Sequence, residues 1–338
     1  MPLSVTQLLR GWTISSSLRA IFLLSSVFHS SGWTADYPSK PIRLIVGFAP
    51  GGATDITARA VAAKLSGLLG QQVIVDNRPG ATGNIGAELL AKSVPDGYTI
   101  MLAVTSLTTT SSLDSGVRKP PFDVNRDFAA VVPVAEFPNV LSVHPSVPAT
   151  TVKDIIALAK AKPGELSYGS SGVGGFTHLS SELFYSMAGV SMTHVPYKGG
   201  GPSMIDLIAG RIQVLFATSS TVIPYIKAQK VKAIAVTTAR RFALLPDIPT
   251  IAESGLPGYE ATNWSGLFAP ARTRADILKR LNSITLEVLD KREMKDFLFT
   301  QGQTASAPAT PEQFSAYVKL ETAKWAKVIK DAGIKVEY

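Results

Sequence analysis

Gly47-Phe48-Ala49-Pro50-Gly51-Gly52-Ala53-Thr54-Asp55 lies between residues 42–47 (IRLIVG), which read as a buried strand, and residues 55–69, which read as a helix. Ile56, Ala60, Ala63 and Leu68 supply the helix with an apolar side. Residues 73–76 read as a second strand, 85–93 as a second helix and 99–104 as a third strand. The order βαβαβ predicts a parallel sheet covered on both faces.

A second alternating series begins beyond the Pro- and Ser-containing residues 106–121. Residues 131–134 and 140–143 read as strands. Helix 152–162, strand 167–169, helix 177–187, strand 193–195, helix 202–209, strand 213–216, helix 222–229 and strand 233–236 follow. From Thr273 the chain is almost wholly helical, with Ile277, Leu281, Ile284 and Val288 on one face and Phe314, Val318, Ala323 and Val328 continuing it. Helices without a sheet of their own need one to cover, so the tail is expected to return to the first lobe. The fold class is therefore α/β with two lobes, each a mixed, mostly parallel sheet flanked by helices. The expected division is residues 36–134 with 258–338 in lobe 1 and residues 135–257 in lobe 2. Two crossings, near residues 133–143 and 255–269, favour a hinged clamp.

The glycine loop at Phe48–Asp55 suits an anion. Its glycines let backbone N–H groups approach a ligand, and a helix start adds unpaired donors and about half a positive charge. It is neither G-x-G-x-x-G nor a Walker loop, so nucleotide binding has no support. Taken alone it is equally a tight turn with Thr54 or Asp55 as helix cap. Its counterpart, Gly169-Ser170-Ser171-Gly172-Val173-Gly174-Gly175-Phe176-Thr177-His178, again stands between strand and helix. Two donor-rich loops at the carboxyl ends of strands, where open α/β sheets bind ligands, predict a grip on opposite ends of one small anion.

Composition narrows the function further. Among 338 residues there is no cysteine, which removes disulfides, thiolate nucleophiles and sulfur-based metal sites. Arg10 and Arg19, the apolar residues 20–28 and the small polar residues 29–35 have the order of a secretory signal peptide, so residues 1–35 are expected to be removed on export to the periplasm. Trp33 makes cleavage after Ala35 irregular. The leader holds two of the 33 basic residues and none of the 25 acidic ones, so the mature chain stays basic. Its lysines and arginines are scattered, with no aromatic platform beside them, which argues against nucleic acid.

These residues resemble the Bug family, the tripartite tricarboxylate transporter receptors. The resemblance rests on Tyr37-Pro38-Ser39-Lys40-Pro41-Ile42-Arg43-Leu44-Ile45-Val46, on Gly51-Gly52-Ala53-Thr54-Asp55 and on Ala58-Arg59. It continues through Asn77-Arg78-Pro79-Gly80-Ala81-Thr82-Gly83-Asn84-Ile85-Gly86, Pro95-Asp96-Gly97-Tyr98-Thr99, the second glycine loop, Val195-Pro196-Tyr197-Lys198-Gly199 and Pro246-Asp247-Ile248-Pro249-Thr250. The resemblance implies an extracytoplasmic solute receptor with a two-lobed, Venus-flytrap periplasmic-binding-protein fold, working with the membrane permease subunits of a tripartite transporter. It also implies carboxylate or small amide ligands, held by the loops at Phe48–Asp55 and Ser170–His178 largely through backbone amides and bridging waters. No cofactor is expected, and a monomer is.

The expected ligand-binding residues are Phe48, Ala49, Gly51, Gly52, Ala53, Thr54 and Asp55 in the first loop and Ser170, Gly172, Val173, Gly174 and His178 in the second. Ser106, just past the third strand, Lys198, at the start of another helix, and Ser219, after strand 213–216, join them. Asp55 either meets a ligand amine or caps its helix; His178 either faces the cleft or packs. A ligand sensor acting on a signalling partner fits the same features. A hydrolase using Ser106 or Ser170 lacks a G-x-S-x-G elbow and an evident Ser/His/acid set.

Overall fold

The computed structural model describes residues 37–110, 121–197 and 199–334. The leader at residues 1–35 and the Lys198 candidate lie outside the described residues. No helix among the described residues is long and apolar enough to cross a membrane.

The first lobe opens with β1 (Ile42–Val46), α1 (Ala53–Leu69), β2 (Val73–Asn77), α2 (Asn84–Ala91), β3 (Thr99–Val104) and a short α3 (Ser106–Thr110). β1 pairs parallel with both β2 and β3, as alternating short β-branched runs and helices require. A one-turn α4 (Val124–Asp127) leads into β4 (Phe128–Val143). The second lobe then runs α5 (Val152–Ala161), β5 (Ser167–Ser170), α6 (Phe176–Ala188), β6 (Thr193–Pro196), α7 (Gly200–Ile208), β7 (Val214–Thr218), α8 (Ser219–Lys227) and β8 (Lys232–Val236). The chain returns through β9 (Thr262–Pro270), α9 (Ala275–Asp290), α10 (Arg292–Thr300), β10 (Thr304–Ala305) and α11 (Pro311–Asp331).

β4 joins the lobes. The sequence predicts two short strands here, 131–134 with Pro133 inside it and 140–143, with Pro138 between them; the structure has one strand of 16 residues. Pro133 is accommodated where the register with β9 shifts, because a bulge spares the ladder the missing N–H. Pro138 closes the pairing with β9, opposite Thr262. From Asn139 onward β4 pairs with β7 and β8 instead.

The directions follow from these pairings. β9 is antiparallel to β3 and β4 is antiparallel to β9, so β4 runs with β1 and β3, from the first lobe to the second. β7 is antiparallel to β4, and β5 and β6 run with β7. The carboxyl ends of β1–β3 therefore point toward the second lobe and those of β5–β7 toward the first. The sheets are mixed because β9 and β4 each insert an antiparallel strand, one from each crossing.

Two cores flank this junction. Ile45, Leu90, Met101, Trp264, Phe268, Phe314 and Val318 pack together in the first lobe. Leu141, Tyr168, Leu179, Phe184 and Phe216 pack in the second. The tail does not stay with the first lobe alone: Phe314 and Val318 on α11 belong to the first core, but Trp325, Val328 and Ile329, further along the same helix, belong to the second. Trp325 is fully buried with Phe176 edge-on at 5.1 Å. A helix of 21 residues is about 32 Å long, enough to lie across both cores, and periodicity cannot say which core each turn meets. Burying one such aromatic contributes roughly 2–3 kcal/mol, so the shared helix is a substantial brace.

Candidate ligand-binding site

The two glycine loops lie at carboxyl strand ends that point at each other, as the strand directions above require. Each leads into a helix whose first turn lacks partners. In α1 the first helical bond runs from Ile56 N–H to the Gly52 carbonyl at 2.9 Å, leaving the N–H groups of Ala53, Thr54 and Asp55 ahead of it. In α6 it runs from Leu179 N–H to the Gly175 carbonyl at 3.0 Å, leaving those of Phe176, Thr177 and His178. Neither helix has a side-chain cap. Each lobe thus presents a positive helix end with open donors.

The first jaw is held from beneath by Asp55. This carboxylate is almost fully buried and accepts from Gly51 N–H at 2.9 Å, from Asn77 Nδ2 at 2.9 Å and from Arg59 Nε at 3.0 Å. The Arg59 guanidinium, helped by the Gly51 and Asn77 donors and against the cost of burial, holds the carboxyl down at about 2. Asp55 is therefore ionised and its oxygens are engaged by protein donors. Asn77 also donates to the Phe48 carbonyl at 3.0 Å, so one amide stitches both ends of the loop. Gly47 is required by a close approach, since a Cβ there would lie 2.7 Å from the Gly83 Cα of the next βα turn. Ser106 reaches the same turn, donating Oγ to the Thr82 carbonyl at 3.0 Å. Ala49, Gly51, Gly52 and Ala53 remain exposed, with Phe48 and Thr54 partly so.

The second jaw has a different support. Gly174 donates its N–H to His178 Nδ1 at 3.0 Å, and Ser171 donates its N–H to Thr177 Oγ1 at 2.8 Å. Ser170 is fully buried, with Oγ 2.7 Å from His194 Nε2. Val173, at the loop tip, is 42% exposed, whereas Phe176 turns into the core. Ser219 is buried and donates Oγ to the Gly302 carbonyl at 2.7 Å. Gly302 itself has φ +71° and packs on the start of α8, where a Cβ would lie 3.1 Å from Ser220 N. Gln303, next to it, accepts from Thr57 of α1 at 3.1 Å, so the residues after α10 tie the start of α8 to α1.

Most candidates from the sequence thus serve as main chain or as scaffold. Gly52, Ala53, Thr54, Gly172 and Val173 line the two loops as backbone, while the side chains of Asp55, Ser170, His178 and Ser219 point into protein contacts. The sequence missed Asn77, Arg59, His194, Glu182 and Gly302. Arg59 has a local signal, since it stands four residues after Asp55 on one helix face. Glu182 has the same signal, four residues after His178, whereas Asn77, His194 and Gly302 act across 22 to 83 residues of chain, where spacing carries no information.

Where β4 and β9 cross between the lobes lies a buried polar network. Asn139 donates Nδ2 to Ser180 Oγ at 2.9 Å and accepts at Oδ1 from Asn263 Nδ2 at 3.0 Å, while its N–H donates to Thr237 Oγ1 at 2.9 Å. Tyr259 donates its hydroxyl to the Ser180 carbonyl at 2.8 Å. Among the described residues, no group of three or more His, Asp or Glu side chains forms a metal centre.

Comparison with known proteins bears on this arrangement. A family model described as the tripartite tricarboxylate transporter family receptor, TctC, matches residues 57–334. Protein BugT of Bordetella pertussis is 35% identical over 301 residues, covering 89% of this chain and 92% of BugT. The solved structure of Rpa4515 from R. palustris with adipate is 39% identical, with a TM-score of 0.77 over 89% of this chain and 99% of that one. MatC from Rhodopseudomonas palustris with bound malate is 27% identical, with a TM-score of 0.74 over 87% of this chain and 100% of that one.

Proposed function

The chain belongs to the tripartite tricarboxylate transporter receptor family, a family of solute receptors and not of enzymes, and on that premise we propose that it captures a small carboxylate-bearing solute between its lobes and delivers it to the membrane subunits of a tripartite transporter. Residues 36–134 with 258–338 form one jaw and 135–257 the other in this reading, and α11 braces both. Export to the periplasm, by removal of a leader ending near residue 35, belongs to the same proposal.

The observation that carries it is the opposed pair of uncapped helix starts, α1 and α6, at facing carboxyl strand ends. Two anionic groups a few ångströms apart on one solute suit two positive helix ends, and a dicarboxylate has that form. Adipate and malate in the two similar structures are of this class. The ligand residues in this reading are the N–H groups of Ala53, Thr54 and Asp55, those of Phe176, Thr177 and His178, and the backbone of Gly52 and Val173. Four to six hydrogen bonds to charged groups at about 1.5–3 kcal/mol each, less several kcal/mol for ordering and closure, leave roughly the 8 kcal/mol of micromolar binding.

Native mass spectrometry of freshly purified protein, followed by a thermal-shift panel of dicarboxylates, amino acids and pyridine carboxylates, tests the reading. A dicarboxylate is expected to raise the melting temperature in a concentration-dependent manner. A panel in which only cations or neutral sugars did so would sink it.

A further inference from the structure

Below the second loop lies a partly buried cluster that ligand binding does not itself use. The rings of His178 and His194 stack with centroids 4.1 Å apart and planes 6° from parallel, and His194 stacks on Tyr168 at 4.7 Å. Each imidazole holds the loop at a different point. His178 Nδ1 accepts the Gly174 N–H at 3.0 Å, so its own proton sits on Nε2, which faces Glu182 Oε1 at 3.6 Å. His194 Nε2 meets Ser170 Oγ at 2.7 Å, and that hydroxyl lies 3.2 Å from both the N–H and the carbonyl of Gly172. His178 is nine-tenths buried or more, and Ser170 and Gly174 are buried with it.

The titratable groups facing the pair are Glu182 from α6 and Tyr168 from β5, with Tyr185 of α6 edge-on against Tyr168. Burial and the charge of Glu182 push both tyrosine hydroxyls far above their ordinary range, so neither ionises in use. Glu182 would be raised by burial, but hydrogen bonds from His178 and Tyr168 hold it below the usual range and ionised. One carboxylate therefore faces two imidazoles in a part-buried site. A proton added at His178 Nδ1 turns the acceptor of the Gly174 N–H into a second donor, and that bond must open. A proton added to His194 places a cation against the face of its stacked neighbour.

We propose that the His178–His194 pair is the positioning element of the second ligand loop, and that protonating it releases the loop so that solute capture weakens as the surroundings acidify. The inference rests on the reading of Ser170–His178 as a ligand loop, and the two can fail separately.

Amide hydrogen exchange of residues 172–176 in the ligand-free protein, at pH 7.5 and pH 5.0 and corrected for intrinsic rates, tests the loop directly. Wild type is expected to lose about tenfold in protection at the lower pH, the factor set by a difference of about one pKa unit between the closed and the open loop. The double variant His178→Asn with His194→Gln keeps an acceptor for Gly174 and a partner for Ser170 but cannot take up the proton, and its protection is expected to be equal at both values. Equal protection in wild type overturns the proposal, as does an equal loss in the variant. Should the variant not fold, ring ¹⁵N shifts in wild type decide: Nδ1 of His178 must be bare at pH 7.5, and loss of protection must track ring protonation. Failure of a dicarboxylate panel to bind at pH 7.5 overturns the receptor reading and the capture half of this inference, while the exchange result still decides the loop half. Where a dicarboxylate does bind, its dissociation constant is expected to rise about tenfold in wild type between the two pH values and not in the variant.

Discussion

Asn263 on β9 donates to Asn139 on β4 at the residue where β4 leaves one sheet for the other. Both side chains are buried, and Asn139 is engaged on its amide nitrogen, its amide oxygen and its backbone N–H. The junction is therefore held by a closed set of hydrogen bonds as well as by strand pairing, and its members come from both crossings.

Asn139→Ala is expected to leave Asn263 Nδ2 and Ser180 Oγ short of partners in a buried site. The cost should be about 2–3 kcal/mol, read as a lower urea midpoint. A midpoint within error of wild type would show that the network contributes nothing net.

Asp55→Asn removes a carboxylate that three protein donors engage. Its folded value of about 2 lies below the ordinary 3.8, so the stabilisation is present above pH 3.8 and lost as pH falls through 2. That shift corresponds to about 2 kcal/mol, and the variant should be less stable by roughly this amount at pH 7. Its acid unfolding should also begin less steeply below pH 4. Parallel acid limbs in the two proteins would contradict the assignment.

His194 has the opposite sense. Burial, with the neighbouring His178 and against Glu182, lowers it from 6.5 to about 4, so the fold favours the neutral ring. The stabilisation is complete above pH 6.5 and is lost as pH falls toward 4, by about 2 kcal/mol once solvent screening of a part-buried ring is allowed for. Melting temperatures measured from pH 7.5 to 4.5 should fall less in His194→Gln than in wild type. The same slope in both would place the titration elsewhere.

Gly47→Ala should disturb the first jaw without touching a solute, because the added methyl meets the Gly83 backbone at 2.7 Å. A backbone shift costing about 1–3 kcal/mol is expected, with weaker retention of any solute found by native mass spectrometry. Unchanged melting and unchanged retention together would show that the two βα turns are free to part.

Much of the fold was legible. The βαβαβ order and its repetition predicted two α/β lobes, and the glycine loops were found between the strands and helices where they stand. Two features escaped for a common reason. Pro138 looks like a break between two strands when read locally, yet a change of partner carries one strand through it, and a bulge accommodates Pro133. The apolar face of α11 is continuous in sequence, but its turns enter two cores.

The candidate site was legible as backbone and illegible as chemistry. Sequence alone determined that each lobe carries a glycine-rich turn at a strand's carboxyl end and a helix start beyond it, because strand, turn and helix are set by neighbours a few residues apart. Only the tertiary structure decided what the side chains of Asp55, Ser170, His178 and Ser219 do. Their partners Asn77, His194, Gly174 and Gly302 lie as much as 83 residues away in the chain, and a buried polar group takes whichever partner packing brings within 3 Å.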